Sequence, residues 1–208
     1  MTPSLQRLFV VRHGETAWSV TRQHTGRTDL PLTAQGESDA EALAPWLAQF
    51  RFAAVLSSPL QRARRTAVLA GFGASLQPDP DLLEWDYGAY EGRRTVDIRR
   101  EYPGWRLFEH GCPGGETPQN VSARADRAIG RIRRIAGDVL VFAHQDILRV
   151  IAVRWLGLDV SQGRFFPLST ASVGILGYDH GIDEPAFRLW NAETRHSLSR
   201  SAGGGGIH

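Results

Sequence analysis

The sequence predicts an α/β protein: a three-layer α/β/α sandwich with a mainly parallel mixed sheet and a small lid excursion. Three observations carry this reading. Short apolar runs at Leu8–Val11, Ala54–Leu56 and Val139–Ala143 have strand length, and the first and last are rich in β-branched residues. Helical stripes alternate with these runs, a pattern that gives parallel strands covered on both faces. The segments Ser172–Tyr178 and Phe187–Asn191 flank an Asp-His-Gly turn and read as a closing antiparallel hairpin.

Taken in order, the first strand stops in Arg12-His13-Gly14, and a loop follows to residue 31. Thr33 is the expected N-cap of a helix whose apolar stripe is Leu43, Trp46, Leu47 and Phe50. Pro45 removes a backbone donor inside that stretch, so a kink or two shorter helices are expected. The second strand ends in Ser57-Ser58-Pro59, and a helix from Pro59 to Leu69 places Arg62 on its first turn. A short strand near 75–79, a loop at 84–92 and a helix near 94–102 lead into an aromatic-rich excursion. That excursion ends in Gly111-Cys-Pro-Gly-Gly and is expected to wall a pocket. Thr117 or Pro118 opens a long helix to about Ala136, with Val121, Ala125, Ala128, Ile132 and Ile135 inward. Arg124, Arg127, Arg131 and Arg134 are then its solvated face. After the third strand comes His144, and Ile147–Leu156 reads as a buried helix.

The 208 residues suit one domain, taken as 1–198, followed by a Ser/Gly-rich tail at 199–208 for which no fixed structure is expected. No apolar run reaches membrane-spanning length, and residues 1–7 carry no secretory-signal core. The lone Cys112 fits a reducing compartment, so a cytoplasmic location is expected. All 24 basic residues are Arg, and codon usage is a sufficient reading of that excess. The Arg residues are spread along the chain and nearly balanced by acids, at a net charge of +2, which disfavours nucleic acid as a partner.

Chemistry converges at the strand ends. In open α/β sheets ligands bind outside the carboxyl ends of the strands. If the three strands are neighbours, Arg12, His13, Arg62 and His144 line one positive pocket with no acid among them. Otherwise they are unrelated loop-edge residues. Two guanidiniums and two imidazoles suit a phosphoryl group better than a metal ion, whose ligands would not sit beside such charges. A proton donor is also needed, and Glu84 is the best placed candidate, although spacing alone also allows a surface loop acid. Beside a bound phosphate dianion its pKa would rise.

At this point the chain resembles the histidine phosphatase superfamily, in its phosphoglycerate-mutase-like branch, and most closely the sugar-phosphate phosphatase group. The resemblance covers about residues 7–198. It rests on Val11-Arg12-His13-Gly14-Glu15-Thr16, Thr25-Gly26-Arg27-Thr28-Asp29-Leu30-Pro31-Leu32-Thr33, Ser57-Ser58-Pro59-Leu60-Gln61-Arg62-Ala63, Leu83–Gly92 and Phe142-Ala143-His144. It implies that His13 takes the phosphoryl group as a phosphohistidine. Arg12, Arg62 and a protonated His144 would hold the phosphoryl oxygens, and Glu84 would protonate the leaving oxygen and then activate water. Thr25 and Gly26 would line the site. Ser19 stands where the family has Asn, and Gln145 where it has Gly. Gln145 is expected to turn inward as a substrate contact, with Asp146 at the helix N-terminus.

The function implied is hydrolysis of small phosphomonoesters, sugar phosphates among them, without metal or other cofactor. The expected partner is a small phosphorylated metabolite, with no nucleic acid or membrane, and a homodimer is compatible with the sequence. Two alternatives stand beside it: a 2,3-bisphosphoglycerate-dependent phosphoglycerate mutase, and a non-catalytic phospholigand-binding protein. The mutase is disfavoured because Trp85-Asp86-Tyr87 and a short aromatic excursion replace the longer basic insertion of family mutases.

Overall fold

The structure, a computed structural model, describes residues 5–193, so the 199–208 tail lies outside the described residues. Six strands form one sheet: β1 (Leu8–Arg12), β2 (Ala54–Ser57), β3 (Leu76–Pro78), β4 (Val139–Ala143), β5 (Ser172–Tyr178) and β6 (Pro185–Glu193). Their order is β3-β2-β4-β1-β5-β6. The first four strands in that order run parallel, and β5 and β6 close the sheet antiparallel. The mixed sheet and the hairpin are thus as the pattern predicts.

Both faces are covered because the strands are apolar on both sides. Leu8 and Val10 pack with Val139, Val141 and the inner residues of two long helices, while Phe9 and Val11 pack with Leu140, Phe142, Leu43 and Leu47. The helices are α1 (Ala17–Thr21), α2 (Ala34–Glu41), α3 (Ala44–Leu47), α4 (Gln61–Leu69), α5 (Thr95–Glu101), α6 (Leu107–His110), α7 (Pro118–Ile132) and α8 (Gln145–Trp155). The 34–47 region is two helices, with Pro45 in the first turn of the second, where a missing N–H costs least. Thr33 caps α2 by accepting from the Gly36 N–H. Thr117 and Asn120 form a reciprocal capping box that starts α7. Among the described residues no helix is long and apolar enough to cross a membrane.

Four boundaries differ from expectation. α4 starts at Gln61, because Leu60 keeps an extended backbone and Ser58 Oγ accepts from its N–H. α8 starts at Gln145, with the extended His144 as its N-cap residue. α7 ends at Ile132, and tight turns carry the chain from there to β4. The 84–92 loop contains a short 3-10 turn at Gly88–Tyr90.

The reading of Arg124 as solvated is wrong. Arg124 is 6% exposed, and it pairs with both oxygens of Glu116. It also donates to the carbonyls of Asp81, Leu83 and Glu84. Arg124 stands at the edge of the apolar stripe, and what buries it is the packing of Glu116 and the 81–84 backbone against this turn of the helix. Arg131, seven residues on and only about 20° away on the wheel, stays partly exposed. Arg127 and Arg131 stay on the outer side, paired with Asp79 and Asp81.

Arg124 therefore holds the backbone of residues 81–84 from below. Arg124→Met should cost about 3–5 kcal/mol, because it leaves Glu116 and three carbonyls without their partner. Arg127→Met, at an exposed ion pair, should cost no more than about 1 kcal/mol. Urea unfolding of the two variants measures the contrast, and equal losses would contradict this account of Arg124.

Candidate active site

The parallel register fixes where the strand ends meet. Arg12 lies opposite Ala143 in β4 and Ser57 opposite Phe142, so β1, β2 and β4 terminate at one edge. The ladder continues one residue further on both sides of β4. His13 N–H donates to Ala143 O and Ser58 N–H to Phe142 O, each at 2.9 Å. This brings His13, Arg62 and His144 together, and the two imidazole centroids stand 5.1 Å apart.

His13 is buried, and its Nδ1 lies 2.7 Å from the Gly14 carbonyl. A carbonyl only accepts, so Nδ1 carries the proton and Nε2 keeps a lone pair. Burial pushes the His13 pKa well below the usual histidine value, and the Arg62 and Arg12 charges lower it further. Gly14 is needed here for space: a Cβ on it would lie 2.3 Å from the Gly36 carbonyl oxygen.

His144 has the opposite tautomer. Arg62 Nε donates to its Nδ1 at 3.0 Å, which leaves the proton on Nε2, 2.7 Å from Ser58 Oγ. Burial and the Arg62 charge hold its pKa well below the ordinary value, so the expected protonated His144 is corrected to a neutral ring. Arg62 is fully buried as well, and its terminal nitrogens donate to the carbonyls of Thr25, Gly26 and Thr28. Arg62 and His144 thus form the layer behind His13, rather than the exposed lining.

A cleft of about 800 Å³ opens above this layer, lined by Arg12, His13, Ser19, Thr25, Glu84 and Gln145 among others. Arg12 Nη1 donates to Leu168 O at 2.6 Å, while its buried Nε has no partner. Gln145 is half-buried and lines the cleft, so it faces inward. Gly26 does not line it. Its carbonyl holds Arg62, and a side chain there would meet the Trp85 carbonyl at 2.5 Å. The Ser19 hydroxyl is occupied in a capping box with Thr16 at the start of α1. The excursion supplies the opposite wall as expected, through Trp105, Leu107 and Phe108 from the α5–α6 region. His24 packs against that wall, 5.7 Å from Trp105 and 4.6 Å from Tyr87.

Two acids stand at this cleft, the expected Glu84 and beside it Asp146. Glu84 is buried across the N-terminus of α8, accepting from the N–H groups of Trp85, Asp146 and Ile147. Burial raises its pKa to about 7, with the Asp146 charge adding to the rise and the three N–H donors opposing it. Asp146 is itself buried, accepting from Tyr87 Oη at 2.6 Å and Arg149 Nη1 at 2.8 Å. Tyr87 and Arg149 were not singled out from the sequence as site residues. Arg149 lies three residues after Asp146, a spacing that signals an intrahelical ion pair.

With this geometry in place, the comparisons with known proteins decide the family. The family model of the histidine phosphatase superfamily (branch 1) matches residues 8–193. The chain belongs to this superfamily. An acid phosphatase of Mycobacterium tuberculosis is 40% identical over 184 residues, spanning 86% of this chain and 90% of that one. A sedoheptulose 1,7-bisphosphatase of Saccharomyces cerevisiae is 33% identical, spanning 90% of this chain and 93% of its own. Among solved structures, the product of a Mycobacterium tuberculosis open reading frame has a TM-score of 0.84 at 37% identity, covering 91% of this chain and 98% of that one. In this histidine phosphatase the Glu84 carboxyl sits where the N–H groups at the start of α8 and a second acid, Asp146, oppose each other.

That opposition can be measured at Glu84. Its carboxyl should titrate near 7. Asp146→Asn keeps an acceptor for Tyr87 and removes the charge, so the Glu84 pKa should fall. Difference infrared titration of the two proteins reads the shift, and an unchanged or higher value in the variant would contradict the assigned cause.

Proposed function

We propose that this chain hydrolyses small phosphomonoesters, sugar phosphates among them, by passing the phosphoryl group through His13. The observation that carries this is the tautomer of His13. Its Nδ1–H is held by the Gly14 carbonyl, which leaves Nε2 as an unprotonated nucleophile beside the unpartnered Nε of Arg12. The relative named for a sugar bisphosphate supports the substrate class.

In this reading Nε2 of His13 attacks phosphorus, the phosphorus–oxygen ester bond breaks, and the leaving oxygen takes the proton of Glu84. Glu84, now a carboxylate, removes a proton from water. The water oxygen attacks phosphorus, the phosphorus–nitrogen bond breaks, and inorganic phosphate leaves with His13 and Glu84 restored. Arg12 takes phosphoryl oxygens directly. Arg62 and the Nε2–H of His144 reach them by exchanging a loop carbonyl or Ser58 Oγ for a phosphoryl oxygen. At His144 that exchange turns a neutral hydrogen bond of about 0.5–1.5 kcal/mol into one to a charged group of about 1.5–3, and at Arg62 it replaces a carbonyl dipole with a full negative charge. Gln145 supplies a further neutral donor at the rim, and Thr25 lines the path. Ser19 acts through the fold of α1.

The reaction as proposed needs no divalent cation. The guanidiniums of Arg12 and Arg62 supply the positive charge that a phosphoryl group needs, and the Asp146 carboxylate is already paired with Arg149. The proposal includes a cytoplasmic location, where the buried Cys112 stays a thiol.

The test is a leaving-group comparison in excess EDTA. A sugar alkoxide must be protonated as it leaves, whereas p-nitrophenolate barely needs it. Glu84→Gln should therefore slow a sugar phosphate by about 10²–10⁴-fold and p-nitrophenyl phosphate far less. With the wild type, kcat/KM on the sugar phosphate should fall as pH rises through about 7, where Glu84 loses its proton. Equal losses on both substrates would remove Glu84 from the role. No turnover by the wild type in EDTA, restored by Mg²⁺, would remove the metal-free mechanism.

A further inference from the structure

We infer that the substrate carries a second anionic group, a phosphate or a carboxylate, which Arg22, Arg99, Arg106 and Arg164 bind at the mouth of the cleft. This rests on the proposed reading that the inner end takes the phosphate to be cleaved. All four residues line the same cleft as His13, and all four are exposed. They come from separate parts of the chain: the end of α1, α5, the residue before α6, and the turn that precedes β5.

The charge count separates this group from an ordinary solvated surface. Arg106 and Arg164 share one carboxylate, Glu109. The Arg99 guanidinium donates through Nε to the Trp105 carbonyl, a neutral partner. The Arg22 side chain has no hydrogen bond or ion pair among the described residues. Four cations therefore face one anion, a surplus of three charges, while the whole chain has a formal net charge of only +2. The contrast with Arg149 is direct, since the fifth outer guanidinium of the cleft is neutralised by Asp146.

The backbone at Arg22 adds a second argument. Arg22 closes α1 in the left-handed region, at φ 61, where Gly or Asn is favoured. Here the position carries a large cationic side chain that lines the cleft. Sugar hydroxyls alone give no use for a surplus of guanidinium charge along the lining of one cleft. A fork-shaped donor does match phosphate or carboxylate oxygens.

Binding to the full chain carrying His13→Ala, which separates affinity from turnover, decides the matter. Calorimetry would compare fructose 1,6-bisphosphate with fructose 6-phosphate, and 3-phosphoglycerate with glycerol 3-phosphate. The doubly anionic member of at least one pair should bind about tenfold or more tightly, the gain expected of one charge-assisted contact. The pair that shows the preference tells phosphate from carboxylate. Adding Arg22→Gln and Arg99→Gln, both exposed positions, should erase the preference and leave binding of the singly phosphorylated member unchanged. Equal binding within both pairs, or a preference that survives the two substitutions, would overturn the inference. With His13 intact, Arg22→Gln/Arg99→Gln should turn over p-nitrophenyl phosphate at the wild-type rate. A large loss would place these arginines in the reaction centre instead. If the wild type does not turn over p-nitrophenyl phosphate at all, the phosphatase reading fails, and the binding ratio still decides this inference separately.

Discussion

Arg62 is a fully buried cation with no ion-pair partner among the described residues, and its guanidinium joins three parts of the chain that are distant in sequence. Burying such a charge costs free energy unless its donors are satisfied and its field is answered. Both conditions are met here. Its nitrogens reach His144 Nδ1 and the carbonyls of Thr25, Gly26 and Thr28, and the charges of Glu84 and Asp29 offset part of the burial. The consequences spread outward. The bond to Nδ1 selects the His144 tautomer, and the carbonyl contacts pin the 25–28 loop against α4. The same positive charge also helps keep His13 unprotonated.

The site then separates its titrating groups by environment. Burial beside guanidiniums lowers both imidazoles, whereas burial beside Asp146 raises Glu84 to about 7. Pairs pushed apart in this way assign the proton-donating and nucleophilic parts at a single pH. In mildly acidic solution a free imidazole lone pair and a protonated carboxyl coexist, which phosphoryl transfer to nitrogen with a poor leaving group requires. Fold and site depend on each other at this point. Arg124, placed on the buried side of α7, holds the carbonyls on either side of Glu84, and α8 supplies the N–H groups that receive its carboxylate.

Much of this is legible in the sequence. The strands whose ends carry His13, Ser57-Ser58 and His144 are short, apolar and bounded by turn residues, so period and composition placed them correctly. Their adjacency puts the expected residues at one edge. What the sequence could not display was depth. Arg62 and His144 were expected to line a pocket, but they lie behind it, because a register shared by three strands stacks their end residues in layers. Glu84 was expected as the acid of the site, and Asp146 joins it as a second carboxylate through partners contributed by residue 87 and by its own helix. Arg124 differs from the solvated face that four arginines at near-helical spacing suggest. Glu116 and the 81–84 backbone pack over its turn of α7 and not over that of Arg131, a tertiary contact that spacing does not carry. Gly26 was expected as lining, yet it serves as backbone support for Arg62, a distinction carried by a carbonyl that every residue has.

The central claim is that phosphorus bonds transiently to Nε2 of His13, and a chemical quench tests it most directly. Protein mixed for milliseconds with labelled p-nitrophenyl phosphate and quenched in alkali should carry acid-labile, alkali-stable phosphate. Peptide mapping should place the phosphate on His13, and His13→Ala should carry none. Phosphate found on His144 or on a carboxylate, or full turnover by His13→Ala, would contradict the account.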